Sequence, residues 1–119
     1  MRDRSEDWRT PDADELIAAL LRLEEPDEAA RFLRDLCTLG ELHDLAQRWA
    51  VVRRLDAGEH YAAISRETGA STATITRIAS WLHHGEGGYR AALERRAAAA
   101  RSPGGAPTAR RSASHANRA

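Results

Sequence analysis

The chain has 119 residues, of which 42% are hydrophobic and 30% charged, and its formal net charge is zero, a composition typical of one soluble globular domain. No apolar run reaches the roughly 18 residues that cross a bilayer, so we do not expect a membrane protein. Cys37 is the only cysteine, which excludes an intrachain disulfide, and the charged start MRDRSEDWRT is unlike a secretory signal, so we expect a cytoplasmic protein.

The first predicted helix follows a charged segment at residues 1–10 that we expect to be flexible. Thr10 is a suitable N-cap and Pro11 suits the first helical position, so together they predict a helix start. The residues that follow are apolar over an arc wider than a single neighbouring helix would cover. These apolar residues are Leu16, Ile17, Leu20, Leu21 and Leu23.

Two further helices are predicted by apolar residues that recur at intervals of three and four. The first of them opens at Pro26, and Thr38–Leu39–Gly40 is interpreted as a break after it. Its apolar stripe is Ala29, Phe32, Leu33, Leu36 and Cys37. The next helix is predicted from Glu41 to Ala57, with Gly58 as the C′ residue. Its apolar stripe is Leu42, Leu45, Ala46, Trp49 and Val52.

Three shorter helices are predicted in the second half of the chain. They cover residues 61–68, about 72–84 and 89–100, and they are separated by Gly69–Ala70–Ser71 and by a glycine-rich turn at 85–88. Residues 101–119 are rich in Arg, Ser, Pro and Gly, so we predict a disordered tail. No run alternates between apolar and polar residues, so the fold class is predicted to be all-α, with six helices in one domain at residues 11–100.

The segment GASTATITRIASWL, residues 69–82, has the pattern of a helix-turn-helix, a unit that we predict at about residues 61–84. Gly69 suits the tight turn, and Ser71 suits the N-cap of the second helix. The spacing of Ile75, Ile78 and Leu82 directs them inward. The opposite face is small, polar and singly basic, which fits a helix that approaches base edges in the major groove of DNA. The predicted DNA-contacting residues are Ser71, Thr72, Ala73, Thr76, Arg77 and Ser80.

The two halves of the chain carry opposite charge. Residues 1–59 hold 9 arginines and 15 acidic residues, a net charge of −6, and residues 60–119 hold 9 arginines and 3 acidic residues, a net charge of +6. The asymmetry indicates an anionic partner for the second half, and double-stranded DNA is one. Two alternatives stay open. The helix pair could serve as a protein–protein interaction module without sequence-specific DNA reading. The arginine-rich tail could serve only to keep the chain soluble, without contributing to DNA binding.

Three segments resemble the Trp-repressor superfamily: GASTATITR at 69–77, WLHHGEGGY at 81–89 and LCTLGELHDLAQRW at 36–49. The last two are more similar to the Trp-repressor-related proteins of the YerC/YecD type, and the resemblance covers about Thr10 to Glu94. It implies an intertwined, all-helical homodimer that regulates transcription as a repressor. Its two helix-turn-helix units would read a palindromic operator with half-sites about 34 Å apart. A dimer is also indicated by size, because roughly 90 residues in short helices form a thin core.

The resemblance also bears on a small-molecule corepressor. Arg77 matches one of the two arginines that hold tryptophan in the Trp repressor, and Arg48 matches the other more loosely. Ile78 stands where the repressor has glycine, and Trp81 stands where it has serine, so both changes add bulk to the pocket. We therefore expect no tryptophan corepressor and no cofactor, and any other effector is unknown.

No catalytic or metal-binding constellation is evident in the sequence. We find no nucleophile–base pair, no sheltered pair of carboxylates and no cofactor motif, so we do not expect an enzyme. His83 and His84 are adjacent on a predicted helix and cannot face one metal ion together, so we expect no metal site. The superfamily also includes replication-initiator domains, but the length of the chain argues against that use.

Overall fold

Six α-helices make up the part of the chain that the computed structural model describes, residues 8–101, and no strand occurs there. The helices are α1 (Pro11–Leu21), α2 (Pro26–Leu36), α3 (Leu39–Asp56), α4 (Tyr61–Thr68), α5 (Thr72–His84) and α6 (Gly88–Arg101). The predicted all-α class is confirmed. Arg101, predicted to begin the tail, ends α6. The rest of that tail and most of the predicted flexible segment at 1–10 lie outside the described residues.

Residues 8–101 divide into two compact units, with the boundary between Asp44 and Leu45. In the first unit the described residues comprise α1, α2 and the start of α3. Thr10 is the N-cap of α1, and its Oγ1 accepts a hydrogen bond from the N–H of Ala13 at 3.1 Å. Pro11 follows at the first helical position, so the predicted start of this helix is confirmed.

A pair of glutamates caps α2. The Glu28 carboxylate accepts hydrogen bonds from the backbone N–H of Glu24 at 2.9 Å and of Glu25 at 3.1 Å, and Glu25 completes a capping box. Both bonds favour the charged form of Glu28. They therefore hold the pKa of this carboxyl below its ordinary value of 4.5, and the charge of Arg31 acts in the same direction.

Replacing Glu28 by glutamine should make the stability of the chain less dependent on acidic pH. A carboxyl group whose pKa is lower in the folded chain stabilises the fold above its unfolded pKa. This contribution is lost as the pH falls below about 4.5 through the folded pKa. Urea unfolding of both chains at several pH values checks the effect. The free energies of unfolding should differ at neutral pH and converge in acid, and a constant difference would contradict the assigned cap.

The third helix begins two residues before its predicted start. α3 starts at Leu39, so the predicted break after α2 exists but lies at Cys37–Thr38, and Leu39 and Gly40 belong to the first turn of α3. The reason is a second capping box. The N–H of Glu41 donates to Thr38 Oγ1 at 3.1 Å, and the N–H of Thr38 donates to Glu41 Oε1 at 2.8 Å. These bonds satisfy two backbone donors, which offsets the cost of about 1 kcal/mol for glycine in a helix.

The apolar faces of α1 and α2 are not buried by residues 8–101 of a single chain. Neither helix contains a buried residue, although the sequence predicts an apolar stripe on each. Leu20 is 43% exposed, Leu21 is 80% exposed and Leu36 is 51% exposed. Exposed apolar side chains that form one contiguous patch are typical of an interface.

The second unit has a hydrophobic core to which the end of α3 and the helices α4, α5 and α6 all contribute. Its buried residues are Val51, Val52, Ile64, Ala70, Ile75, Ile78, Leu82 and Leu93. Trp49 and Tyr89 pack against them, with ring centroids 6.5 Å apart. After α3, Gly58 has a φ of +82°, which confirms it as the C′ residue. None of the helices within residues 8–101 is both long enough and apolar enough to cross a membrane.

Candidate nucleic-acid interface

A tight turn joins α4 to α5. α4 ends at Thr68, and Gly69 follows with a φ of +79°, in the left-handed region that favours glycine. Ser71 is the N-cap of α5, and its Oγ accepts a hydrogen bond from the N–H of Thr74 at 3.1 Å. Both the predicted turn at Gly69–Ala70–Ser71 and the predicted cap are confirmed.

Side-chain hydrogen bonds hold this turn from several sides. Ser65 Oγ donates to the carbonyl oxygen of Ala70 at 2.7 Å. Thr68 Oγ1 donates to the carbonyl oxygen of Ile64 at 2.7 Å and accepts a bond from the N–H of Ala70 at 3.2 Å. Gln47 Nε2, on α3, donates to the carbonyl oxygen of Thr68 at 3.1 Å. The position of α5 relative to α4 is therefore set by hydrogen bonds as well as by the core.

The two faces of α5 differ in the way that the sequence predicts. Ile75, Ile78 and Leu82 are buried, so the inward face is confirmed. The predicted DNA-contacting residues are all exposed: Ser71, Thr72, Ala73, Thr76, Arg77 and Ser80. They form a strip of hydroxyl groups, methyl groups and one guanidinium on a helix whose other side is fixed in the core. We call this strip the outer face of α5; its contact with DNA stays a prediction.

Thr74 links the N-cap of α5 to Arg77. The Thr74 hydroxyl accepts hydrogen bonds from Ser71 Oγ at 3.1 Å and from the Arg77 guanidinium at 3.4 Å. Arg77 makes no ion pair with any acidic residue in the described chain, so its charge is not neutralised there. An arginine held along a helix without a carboxylate partner can offer its remaining N–H groups to a phosphate or a base.

The four residues that correspond to the tryptophan pocket of the Trp repressor lie in different environments. Arg48 is exposed on α3, and Arg77 is exposed on α5. Ile78 is buried in the core, so its added bulk fills space beneath α5, whereas Trp81 is 47% exposed. That these two residues close the pocket to tryptophan stays a prediction. Within residues 8–101, no group of three His, Cys, Asp or Glu side chains could hold a metal ion.

Alanine at position 69 should destabilise the chain by about 1–2 kcal/mol, because the left-handed conformation is unfavourable for a residue with a Cβ. An added Cβ would meet only Gln47 Nε2, at 3.8 Å, so the cost is conformational. Gly40→Ala is the matched control. It lies within α3 with nothing near its added Cβ, and it should stabilise the chain by roughly 0.5–1 kcal/mol. Urea unfolding measures both, and effects of the same sign would contradict the turn geometry.

The comparison with known proteins agrees with this arrangement of helices. The family model described as Trp repressor protein matches residues 12–97, which include the turn and the whole of α5. The chain belongs to the Trp repressor family. The fold of this family is that of a helix-turn-helix regulator of the DNA-binding type, and it is not the fold of an enzyme family.

Individual known proteins are similar to the chain over about three quarters of its length. The uncharacterized protein YerC of Bacillus subtilis (strain 168) is 45% identical over 87 residues, which are 73% of this chain and 84% of YerC. A TrpR-like protein from Eubacterium eligens ATCC 27750 has a solved structure with a TM-score of 0.72 and 39% identity, covering 76% of this chain and 93% of that one. A solved structure from Staphylococcus aureus gives a TM-score of 0.72 and 42% identity, covering 76% and 90%.

Proposed function

We propose that the chain is a sequence-specific DNA-binding repressor of transcription, which acts as a homodimer in the cytoplasm and reads a palindromic operator with α5 in the major groove. The observation that carries this proposal is the outer face of α5. It is exposed along its whole length, it has no large apolar side chain, and the opposite face is anchored in the core.

The chemistry of this face suits a major groove. Thr76 and Ser80 can donate or accept hydrogen bonds at base edges, and the methyl groups of Ala73 and Thr76 can contact the thymine methyl group. Arg77 can reach a guanine or a phosphate. Ser71 lies at the N-terminus of α5, where the backbone N–H groups and the helix dipole favour a phosphate oxygen.

The charge of the second half supports the same partner. Residues 60–101 contain six arginines and three acidic residues. Of these arginines, Arg66, Arg95 and Arg96 are exposed and make no ion pair in the described chain. Such a surface attracts the phosphate backbone at any sequence, while the outer face of α5 supplies the selectivity.

The uncovered faces of α1 and α2 support the homodimer. Within residues 8–101 of a single chain, Leu20, Leu21 and Leu36 stay 43%, 80% and 51% exposed. Burying a fully exposed leucine contributes roughly 1.5–3 kcal/mol, so each of these side chains would contribute a part of that in proportion to its exposure. In the proposed dimer the second copy covers these faces. The two α5 helices would then enter successive major grooves about 34 Å apart. We propose no tryptophan corepressor and no cofactor for this dimer.

The proposal is tested by selecting bound sequences from a random DNA duplex library. The selection uses the full chain at physiological salt. We expect a palindromic motif with half-sites about ten base pairs apart. Affinity for that motif should fall steeply with salt, because arginine contacts release counterions. If nothing is enriched, the selection is repeated with a metabolite extract. Continued failure would contradict DNA reading and favour the protein–protein module.

A further inference from the structure

Gln47 is placed where it can control the turn before α5. It lies on α3, 21 residues before Thr68 in the chain, and its Nε2 donates to the Thr68 carbonyl oxygen at 3.1 Å. A Cβ built on Gly69 would lie 3.8 Å from the same nitrogen, so the carboxamide rests directly against the turn. Both Gln47 and Thr68 are half-buried.

The Thr68 carbonyl group needs a partner from outside its own helix. It is the last carbonyl of α4, and the final carbonyls of a helix have no intrahelical donor. They also carry the negative end of the helix dipole, which favours an N–H donor at this point. Gln47 supplies this donor from another helix, whereas the bonds from Ser65 and Thr68 join α4 only to the turn itself.

We propose that Gln47 is a positioning residue for DNA reading, which couples α3 to the turn and thereby fixes the angle at which α5 leaves it. The proposal rests on the DNA-binding function proposed above. Thr76 lies about 7.5 Å along the helix axis from Ser71, so a tilt of about 10° at the turn would move it by about 1.3 Å. Since hydrogen-bond distances to base edges vary by only about 0.5 Å, such a tilt breaks specific contacts.

The first test is a nuclear magnetic resonance spectrum of the full chain without DNA. Gln47 is the only glutamine and Asn117 the only asparagine, so the spectrum contains just two side-chain carboxamide groups, which a Gln47→Met variant assigns. We expect one Gln47 amide proton to be shifted downfield, to exchange slowly and to show a coupling through the hydrogen bond to the Thr68 carbonyl carbon. A Gln47 amide with the shift and exchange rate of a free carboxamide would overturn the proposal.

The second test separates positioning from general stability. Gln47→Met keeps a similar side-chain length but removes the donor, and Gln47→Lys restores a donor. Affinity is measured for the selected sequence and for unrelated duplex DNA. We expect Gln47→Met to lower the ratio of these affinities about tenfold while leaving affinity for unrelated DNA unchanged, and Gln47→Lys to recover much of the ratio.

The outcomes of the second test distinguish the two proposals. If the unaltered chain selects a sequence and Gln47→Met keeps the full affinity ratio, the positioning role is wrong. A loss that is equal for both DNAs, accompanied by a lower melting temperature, would also overturn it, because it would reflect stability alone. If the unaltered chain selects no sequence, the proposed function fails. If Gln47→Met does not fold, the positioning role is tested by the affinity ratio of Gln47→Lys and by the nuclear magnetic resonance spectrum of the unaltered chain.

Discussion

A variant with both Leu16 and Leu20 replaced by glutamate is expected to be monomeric and to bind the operator at least about a hundredfold more weakly than the parent. Linking two binding units contributes a factor of about 10²–10⁴ in avidity, which a monomer loses. Leu16 and Leu20 are 37% and 43% exposed and lie four residues apart on α1, so they share one face of that helix. A partner chain that covers this face cannot accept two unpaired carboxylates, because burying such charges is very costly.

Light scattering and DNA titration measure the two parts of this prediction. Arg22→Glu is the matched control, because it changes the net charge by the same amount at the exposed C-cap of the same helix. We expect it to remain dimeric and to lose only the small part of the DNA affinity that comes from charge. A parent chain that is already a folded monomer at micromolar concentration would contradict the proposed dimer directly.

Features that depend on neighbouring residues could be predicted from the sequence. The start of α1, the left-handed Gly58 and the turn at 69–71 each require a particular residue type within about four positions, and each is confirmed. The inward face of α5 was predictable for the same reason, because helical spacing fixes which residues share a side. The break predicted at Thr38–Leu39–Gly40 lies instead at Cys37–Thr38, since the Thr38–Glu41 capping box is a stronger local signal than glycine.

Features that depend on distant parts of the chain could not be predicted in the same way. The stripe predicted on α3 includes Val52 but omits Val51, which is buried because the core meets the end of this helix over a wider arc than one stripe. The hydrogen bond of Gln47 joins residues 21 positions apart, and nothing in its local sequence indicates a partner. The uncovered leucines of α1 show the same limit, because a sequence marks a residue as apolar without stating which surface covers it.

Replacing Thr76 or Arg77 on the outer face of α5 is expected to have a different effect at each position. Thr76→Ala should relax the sequence preference at one position of each half-site, because a side-chain contact to a base edge supplies about 1–3 kcal/mol of discrimination. Thr76→Ser keeps the hydroxyl group, and Thr76→Val keeps the methyl group. If Ser restores the preference the contact is a hydrogen bond, and if Val restores it the contact is with a thymine methyl group.

Arg77→Ala is expected to weaken binding to the selected sequence by tenfold or more, because this arginine has no carboxylate partner in the described chain and is the only basic group on the outer face. If Arg77 contacts a phosphate, the loss of affinity is similar for all sequences, and the number of counterions released on binding, measured from the salt dependence, falls by about one. If it contacts guanine, the loss is confined to the selected motif.

Arg31→Ala controls for the loss of one positive charge, because Arg31 is exposed on α2, away from the outer face of α5 in the sequence. It should change binding far less than Arg77→Ala does. The measurement is repeated selection and titration with each variant at two salt concentrations. If Thr76→Ala and Arg77→Ala both bound the parent's motif as tightly as the parent, the outer face of α5 would not be the surface that reads DNA, because the two side chains best suited to base contact would then be dispensable.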